Sequence, residues 1–174
     1  NPEIKEILNT KKISFYIGYD PTAKSLQIGN LFAIITMKRF QLYGHRPVVV
    51  IGGATGMIGD PSGKSTERVL LTEEVIQENI EAQKKQLQKI IKFEGDKAAT
   101  MVNNFDWMGK FSFLGFLRDV GKTFRITEML AKESVKNRIE SEVGLSFTEF
   151  CYQMLQAYDF RHLALNNDVT LQIG

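Results

Sequence analysis

The chain has 174 residues, a net charge of +2, 43% hydrophobic residues and 24% charged ones, the size and composition of one ordinary globular domain. That charge is too small to argue for a nucleic-acid partner by itself. A lone Cys151 and two histidines exclude a disulfide framework and speak against a zinc site. No apolar run approaches the roughly 18 residues that cross a bilayer.

The polar start reads as a short entry helix over residues 2–9 and carries no signal-peptide core, so the chain is expected in the cytoplasm or an organellar matrix. Residues 13–19 read as a strand. Residues 29–43 read as a helix with apolar positions at Leu31, Ile34, Ile35, Met37 and Leu42, closed by Gly44. The Val/Ile run at 47–51 suits a strand buried on both faces. Strand, turn, helix and strand in this space make a βαβ unit with a parallel pair. Thr72 is placed to cap a long helix whose first turn carries Glu73 and Glu74 at the positive end of the dipole. Its stripe of Ile76, Ile80, Leu87 and Ile91 is apolar, and Glu78, Glu81, Lys85 and Lys89 form a solvated face. Residues 100–103 read as a third strand. Residues 112–120, 127–131, 133–140 and 146–165 read as helices, and 169–173 as a last strand. The fold class is therefore α/β, a Rossmann-like parallel sheet flanked by helices, with a helical insertion before the last strand.

Two glycine-bearing turns follow the first two strands. The first, Asp20 to Asn30, offers Thr22, Gln27 and Asn30 as neutral donors at a helix start, where phosphate is readily held. The same residues also suit a polar βα loop in which Asn30 caps the helix. The second, Gly52 to Lys64, resembles a phosphate loop only superficially. Its Gly59-Asp60-Pro61-Ser62-Gly63-Lys64-Ser65 run has too few residues between the glycines, and the capped helix begins only near Thr72. What remains is a Gly-rich segment with Lys64 and Arg68 able to swing onto an anion, or to sit solvated on a surface loop. On the helix from Ser146, Phe147, Phe150, Cys151, Met154, Leu155 and Tyr158 cover one broad side. Tyr152, Gln156 and Asp159 stack at i, i+4 and i+7 on the other, as a polar pocket wall or an exposed face. Trp107 reads as core, and His45 and His162 stand isolated.

In combination these motifs resemble a known family. Tyr16-Ile17-Gly18-Tyr19-Asp20-Pro21-Thr22, Gly52 to Lys64, Asn103 to Trp107, Phe116 to Lys122, Ser146 to Phe150 and Leu155 to Phe160 occur in the order and spacing of bacterial-type tyrosyl-tRNA synthetases. The resemblance implies a class I catalytic domain that activates L-tyrosine with ATP and Mg2+ to tyrosyl-adenylate and passes it to tRNA(Tyr). It divides the chain into a first nucleotide-binding half (1–105), a helical connective and dimer region (106–145), and the start of the second half (146–174). Carried over by position, Tyr16 and Asp159 would bind the substrate phenol, and Asp60, Tyr152 and Gln156 its ammonium group. Asp20 would lie beside the ribose, with Asn104 lining the neighbouring cleft. Thr22, Gln27, Gly29 and Asn30 would address the ATP phosphates and ribose, and Lys64 and Arg68 the pyrophosphate. Pairing a buried phenol rejects phenylalanine by about 10⁴–10⁵, a magnitude already known for tyrosyl synthetases rather than derived from this chain. Phe147 would lie in a homodimer interface. No resident metal and no membrane contact are implied.

The family's His-Ile-Gly-His signature reads Gln27-Ile28-Gly29-Asn30 here. Both amides remain donors, but neither becomes cationic, so slower activation is expected. The family's later segments, a Gly-Ser-Asp-Gln-Trp stretch and a Lys-Met-Ser-Lys-Ser loop, do not occur within these residues. The chain therefore reads as a fragment, weakly active or inactive by itself. Two other readings stand beside this one: a catalytically impaired synthetase-like module, and a small nucleotidyltransferase with a related His-x-Gly-His turn.

Overall fold

A computed structural model describes residues 2–60, 71–142 and 144–174. Four parallel strands, β1 (Ser14–Tyr19), β2 (Arg46–Ile51), β3 (Thr100–Asn103) and β4 (Val169–Gln172), form a sheet in the order β3-β2-β1-β4. Two helices, α2 (Ile28–Leu42) and α4 (Glu73–Gln88), pack on one face, after an entry helix α1 (Pro2–Thr10). Phe15, Ile17 and Tyr19 of β1 and Val49 and Ile51 of β2 meet Ile34 and Met37 of α2 and Ile76, Ile80 and Leu87 of α4 there. The alternate residues Tyr16, Val48 and Val50, with Val169, point the other way onto Leu163 of α9 (Phe147–Asn166). The valine run at 47–51 is thus buried on both faces, as its composition requires.

The order explains the two layers. The steps from β1 to β2 and from β2 to β3 run one way across the sheet, and the step to β4 runs back. Right-handed crossovers then place α2 and α4 on one face and α9 on the other. Direction reverses between β1 and β4, which opens a crevice at the carboxyl ends of those strands.

Short elements bridge the rest: α5 (Phe105–Met108), α6 (Phe113–Asp119), a 3₁₀ turn (Gly121–Thr123), α7 (Ile126–Leu130) and α8 (Glu133–Ile139). The sequence reading missed α5 and, more tellingly, α3 (Gly53–Ile58). The segment read as a glycine-rich loop is a tight helical turn here. A Cβ at Gly52 would strike Asp20 and Thr55, one at Gly53 would strike Asn103, and one at Gly56 would lie 2.9 Å from Pro21 Cδ. These glycines let protein approach protein rather than ligand approach backbone.

A second correction concerns α9. Its buried side is Glu149, Gln153, Met154, Asp159 and Leu163, whereas Phe147 is 68% exposed and Phe150, Cys151, Leu155 and Tyr158 are half-buried. The helix start is anchored by a buried ion pair: Arg138 Nη2 lies 2.9 Å from Glu149 Oε2 and also donates to the Gly144 carbonyl. Ser146 Oγ accepts from the Glu149 amide, and Glu149 reaches back to the Ser146 amide. Among the described residues no helix is long and apolar enough to cross a membrane.

Candidate active site

The crevice between β1 and β4 holds a cavity of about 380 Å³. Its walls include Tyr16 and Gly18 of β1, Asp20 and Thr22 of the following loop, Gln27 and Asn30 at the start of α2, and Asp60. Tyr152, Gln156 and Asp159 of α9 close the other side. Residues far apart in sequence, read separately as candidate donors and a polar stripe, therefore share one space. A Cβ on Gly18 would meet nothing within 4 Å, so the absence of a side chain there leaves room in the cavity.

Asp159, only 5% exposed, lies at the inner end. Its Oδ1 accepts from Trp107 Nε1 at 2.8 Å and its Oδ2 from Asn104 Nδ2 at 3.0 Å. Burial pushes its carboxyl up to about 6; the two donors pull it back in part, and the Asp20 charge adds to the rise. Tyr16, on the β1 side of the cavity, is held well above the usual phenol range by burial first and the Asp159 charge second. Trp107, read from the sequence as core, does pack against the core on the Tyr16 and Val48 face, half-buried, and also holds Asp159 in place. The indole stacks on His162 at 4.1 Å and 14°, which gives that isolated histidine a supporting part.

Around Asp20, Tyr152 Oη donates to Asp20 Oδ2 at 2.9 Å, and Thr55 Oγ1 donates to Asp20 Oδ1 at 2.6 Å. Burial is the main cause of the strong rise in the Tyr152 phenol, with Asp20 next. The loop carrying Asp20 and Thr22 is fastened to α4 by side chains that the sequence reading left unused. Asn79 Nδ2 donates to the Pro21 carbonyl at 2.9 Å, and Gln83 Nε2 to the Ala23 carbonyl at 3.0 Å. Both are buried polar residues among Ile76, Ile80 and Leu87 of that helix, and their position on the apolar stripe side was the available signal.

Two helix starts differ in what they offer. At α3 the Gly53 amide donates to Asn103 Oδ1 and the Ala54 amide to Asn104 Oδ1, so these donors are consumed inside the fold. Those two asparagines agree with the rejection of a phosphate loop in this second turn. At α2 the N-terminus faces the cavity, and Asn30 Oδ1 accepts from the Gln27 amide at 2.9 Å. That bond turns the Asn30 amide so that Nδ2 points away as a donor. Gln27 is the N-cap residue; Asn30, third in the helix, accepts its amide in a capping box and keeps Nδ2 as a donor. Gly29 lies in the same first turn. Lys64 and Arg68 lie outside the described residues, and Phe147 sits outside the cavity at the start of α9.

The family model for class I tRNA synthetases (W and Y) matches residues 8–174. The chain belongs to this family. It is 53% identical over 171 residues to the tyrosine–tRNA ligase of Rhodopirellula baltica, covering 98% of this chain and 39% of that one. It is 55% identical over 173 residues to the tyrosine–tRNA ligase of Protochlamydia amoebophila, covering 99% and 40%. The synthetase chain also superposes on a C-terminally truncated mitochondrial tyrosyl-tRNA synthetase of Aspergillus nidulans with a TM-score of 0.88 and 31% identity, over 100% of this chain and 52% of that one. It spans about two fifths of the length of these curated relatives. The bacterial-type resemblance read from its motifs and the Rossmann-like class I fold are both upheld.

Proposed function

We propose that this synthetase chain forms the tyrosine pocket and part of the ATP site of a tyrosine–tRNA ligase. In that reaction the tyrosine carboxylate attacks the α-phosphorus of ATP, pyrophosphate leaves, and tyrosyl-adenylate is formed; tyrosine then passes to tRNA(Tyr). The observation that carries the reading is the buried Asp159 beside Tyr16, with Asn104 and Trp107 holding both its oxygens. A carboxylate so placed accepts from a phenol hydroxyl, and opposite phenylalanine that acceptor site goes unfilled in a buried place.

Asp60, Tyr152 and Gln156, further along the wall, would receive the ammonium group. Tyr152 gives its proton to Asp20 and so turns oxygen lone pairs to the incoming donor. Asp20 would face the ribose. Thr22, Gln27 and Asn30, with the start of α2, would hold phosphate, and Lys64 and Arg68 are assigned to pyrophosphate. Catalysis on this reading is positioning and charge stabilisation, with no general base. Mg2+ enters as the counter-ion of ATP. The carboxylates of Asp20 and Asp159 already accept from inside the fold, and among the described residues no cluster of His, Cys, Asp and Glu suits a resident ion.

The helical region also leaves Phe113, Leu114, Ile126 and Phe147 at least 60% exposed, and we assign this apolar surface to a homodimer. A second reading, a scaffold without catalysis, is favoured by Gln27 and Asn30 alone. Tyrosine-dependent pyrophosphate exchange decides between them in a chimera that joins this segment to the remainder of the Rhodopirellula relative. Exchange above background supports the ligase; tyrosine binding without exchange supports the scaffold.

A further inference from the structure

We propose that Thr55 is a positioning residue that ties the phenol end of the cavity to its Asp20 end and thereby sets selectivity for tyrosine. The proposal rests on the tyrosine reading above and adds a residue which that reading leaves without a part.

The bond directions around Thr55 follow from chemistry. The Ala54 amide donates to Asn104 Oδ1 at 2.8 Å, which fixes the orientation of the Asn104 amide. Its Nδ2 then donates both protons, one to Asp159 Oδ2 at 3.0 Å and one to Thr55 Oγ1 at 3.1 Å. Having accepted there, the Thr55 hydroxyl is free to donate its single proton to Asp20 Oδ1 at 2.6 Å. Asp20 Oδ2 takes the Tyr152 proton. One hydroxyl therefore joins the group that positions Asp159 to the carboxylate that orients Tyr152.

Burial makes the junction consequential. Thr55 is 3% and Asn104 1% exposed, so a bond removed here leaves buried polar atoms short of a partner. The backbone is shaped for it as well, since any Cβ on Gly52 would strike both Asp20 Oδ1 and Thr55 Oγ1. Valine has the shape of threonine without the hydroxyl. In Thr55→Val, one Asn104 proton loses its acceptor and Asp20 loses a donor, so Asn104 is held by the Ala54 amide and Asp159 alone, and its bond to Asp159 loses the support on the Thr55 side. Serine restores the hydroxyl.

The test is calorimetric titration of the wild-type chain, Thr55→Val and Thr55→Ser with L-tyrosine and L-phenylalanine. It is joined to NMR of the Asn104 side-chain amide and the Trp107 indole N–H. Thr55→Val is expected to weaken tyrosine binding about tenfold or more and to narrow the preference over phenylalanine. It should also shift one Asn104 amide proton and the indole proton, and Thr55→Ser should stay near wild type on every readout. A Thr55→Val chain with wild-type affinity and selectivity for tyrosine overturns the proposal. If the wild-type chain binds no tyrosine, the tyrosine reading fails instead, and the NMR arm still decides the junction. Unshifted Asn104 and Trp107 resonances in Thr55→Val would contradict it.

Discussion

Asp159 is asked to be a carboxylate in a place that disfavours charge. Its pKa of about 6 in the folded chain exceeds the ordinary value of about 3.9 in an unfolded one. Between those values the folded state holds a proton that the unfolded state has lost. Stability therefore falls as pH rises from about 4 to about 6 and is flat above, by on the order of 3 kcal/mol. Tyrosine binding should move the opposite way and strengthen as pH rises through about 6, because the ionised form accepts the phenol proton. Denaturation and titration series at pH 5 and 7.5 check both, and Asp159→Ala should flatten both. Parallel trends would mean that Asp159 does not face the phenol. Gln27 and Asn30 raise a second residue-level question. Changing both to histidine should speed adenylation in the exchange assay. It should also remove the Asn30 side of the capping box on α2 and lower helix stability. No gain in rate would contradict the reading of these amides as weaker catalytic donors.

Among the elements, α9 decides whether the site exists, since it carries Tyr152, Gln156 and Asp159. Its start depends on the Arg138–Glu149 pair, whose side chains are 4% and 2% exposed. Arg138→Ala leaves a buried carboxylate without its guanidinium and should cost about 3–5 kcal/mol, measured by urea denaturation at pH 7. A loss below about 1 kcal/mol would show that the pair does not anchor the helix. The elements themselves were largely legible in the sequence. Alternating or continuous Val/Ile runs report burial of strands, and Thr72, Ser112 and Ser146 mark helix starts that each accept a backbone amide in the structure. The glycines at 52, 53 and 56 read as a loop because their composition does not record the protein atoms that close on them in α3. Thr55 was invisible for a related reason: its partners Asp20 and Asn104 lie 35 and 49 residues away, and no local pattern records such a junction. Trp107 does pack on the core as read, but only the fold brings its N–H to Asp159.

For the molecule as a whole, the sheet order accounts for where the cavity lies, and the apolar helical surface bears on assembly. With Phe113, Leu114, Ile126 and Phe147 exposed, the chain is expected to sediment as a dimer at micromolar concentration and Phe147→Asp as a monomer. Equal sedimentation of the two would remove that surface from the interface. The central claim concerns the pocket, and calorimetric titration of this chain with L-tyrosine tests it most directly. L-phenylalanine, L-tryptophan and the Asp159→Ala variant serve as controls. The account predicts heat with tyrosine alone, abolished by Asp159→Ala. Equal binding of phenylalanine, or tyrosine binding that survives loss of Asp159, would contradict it.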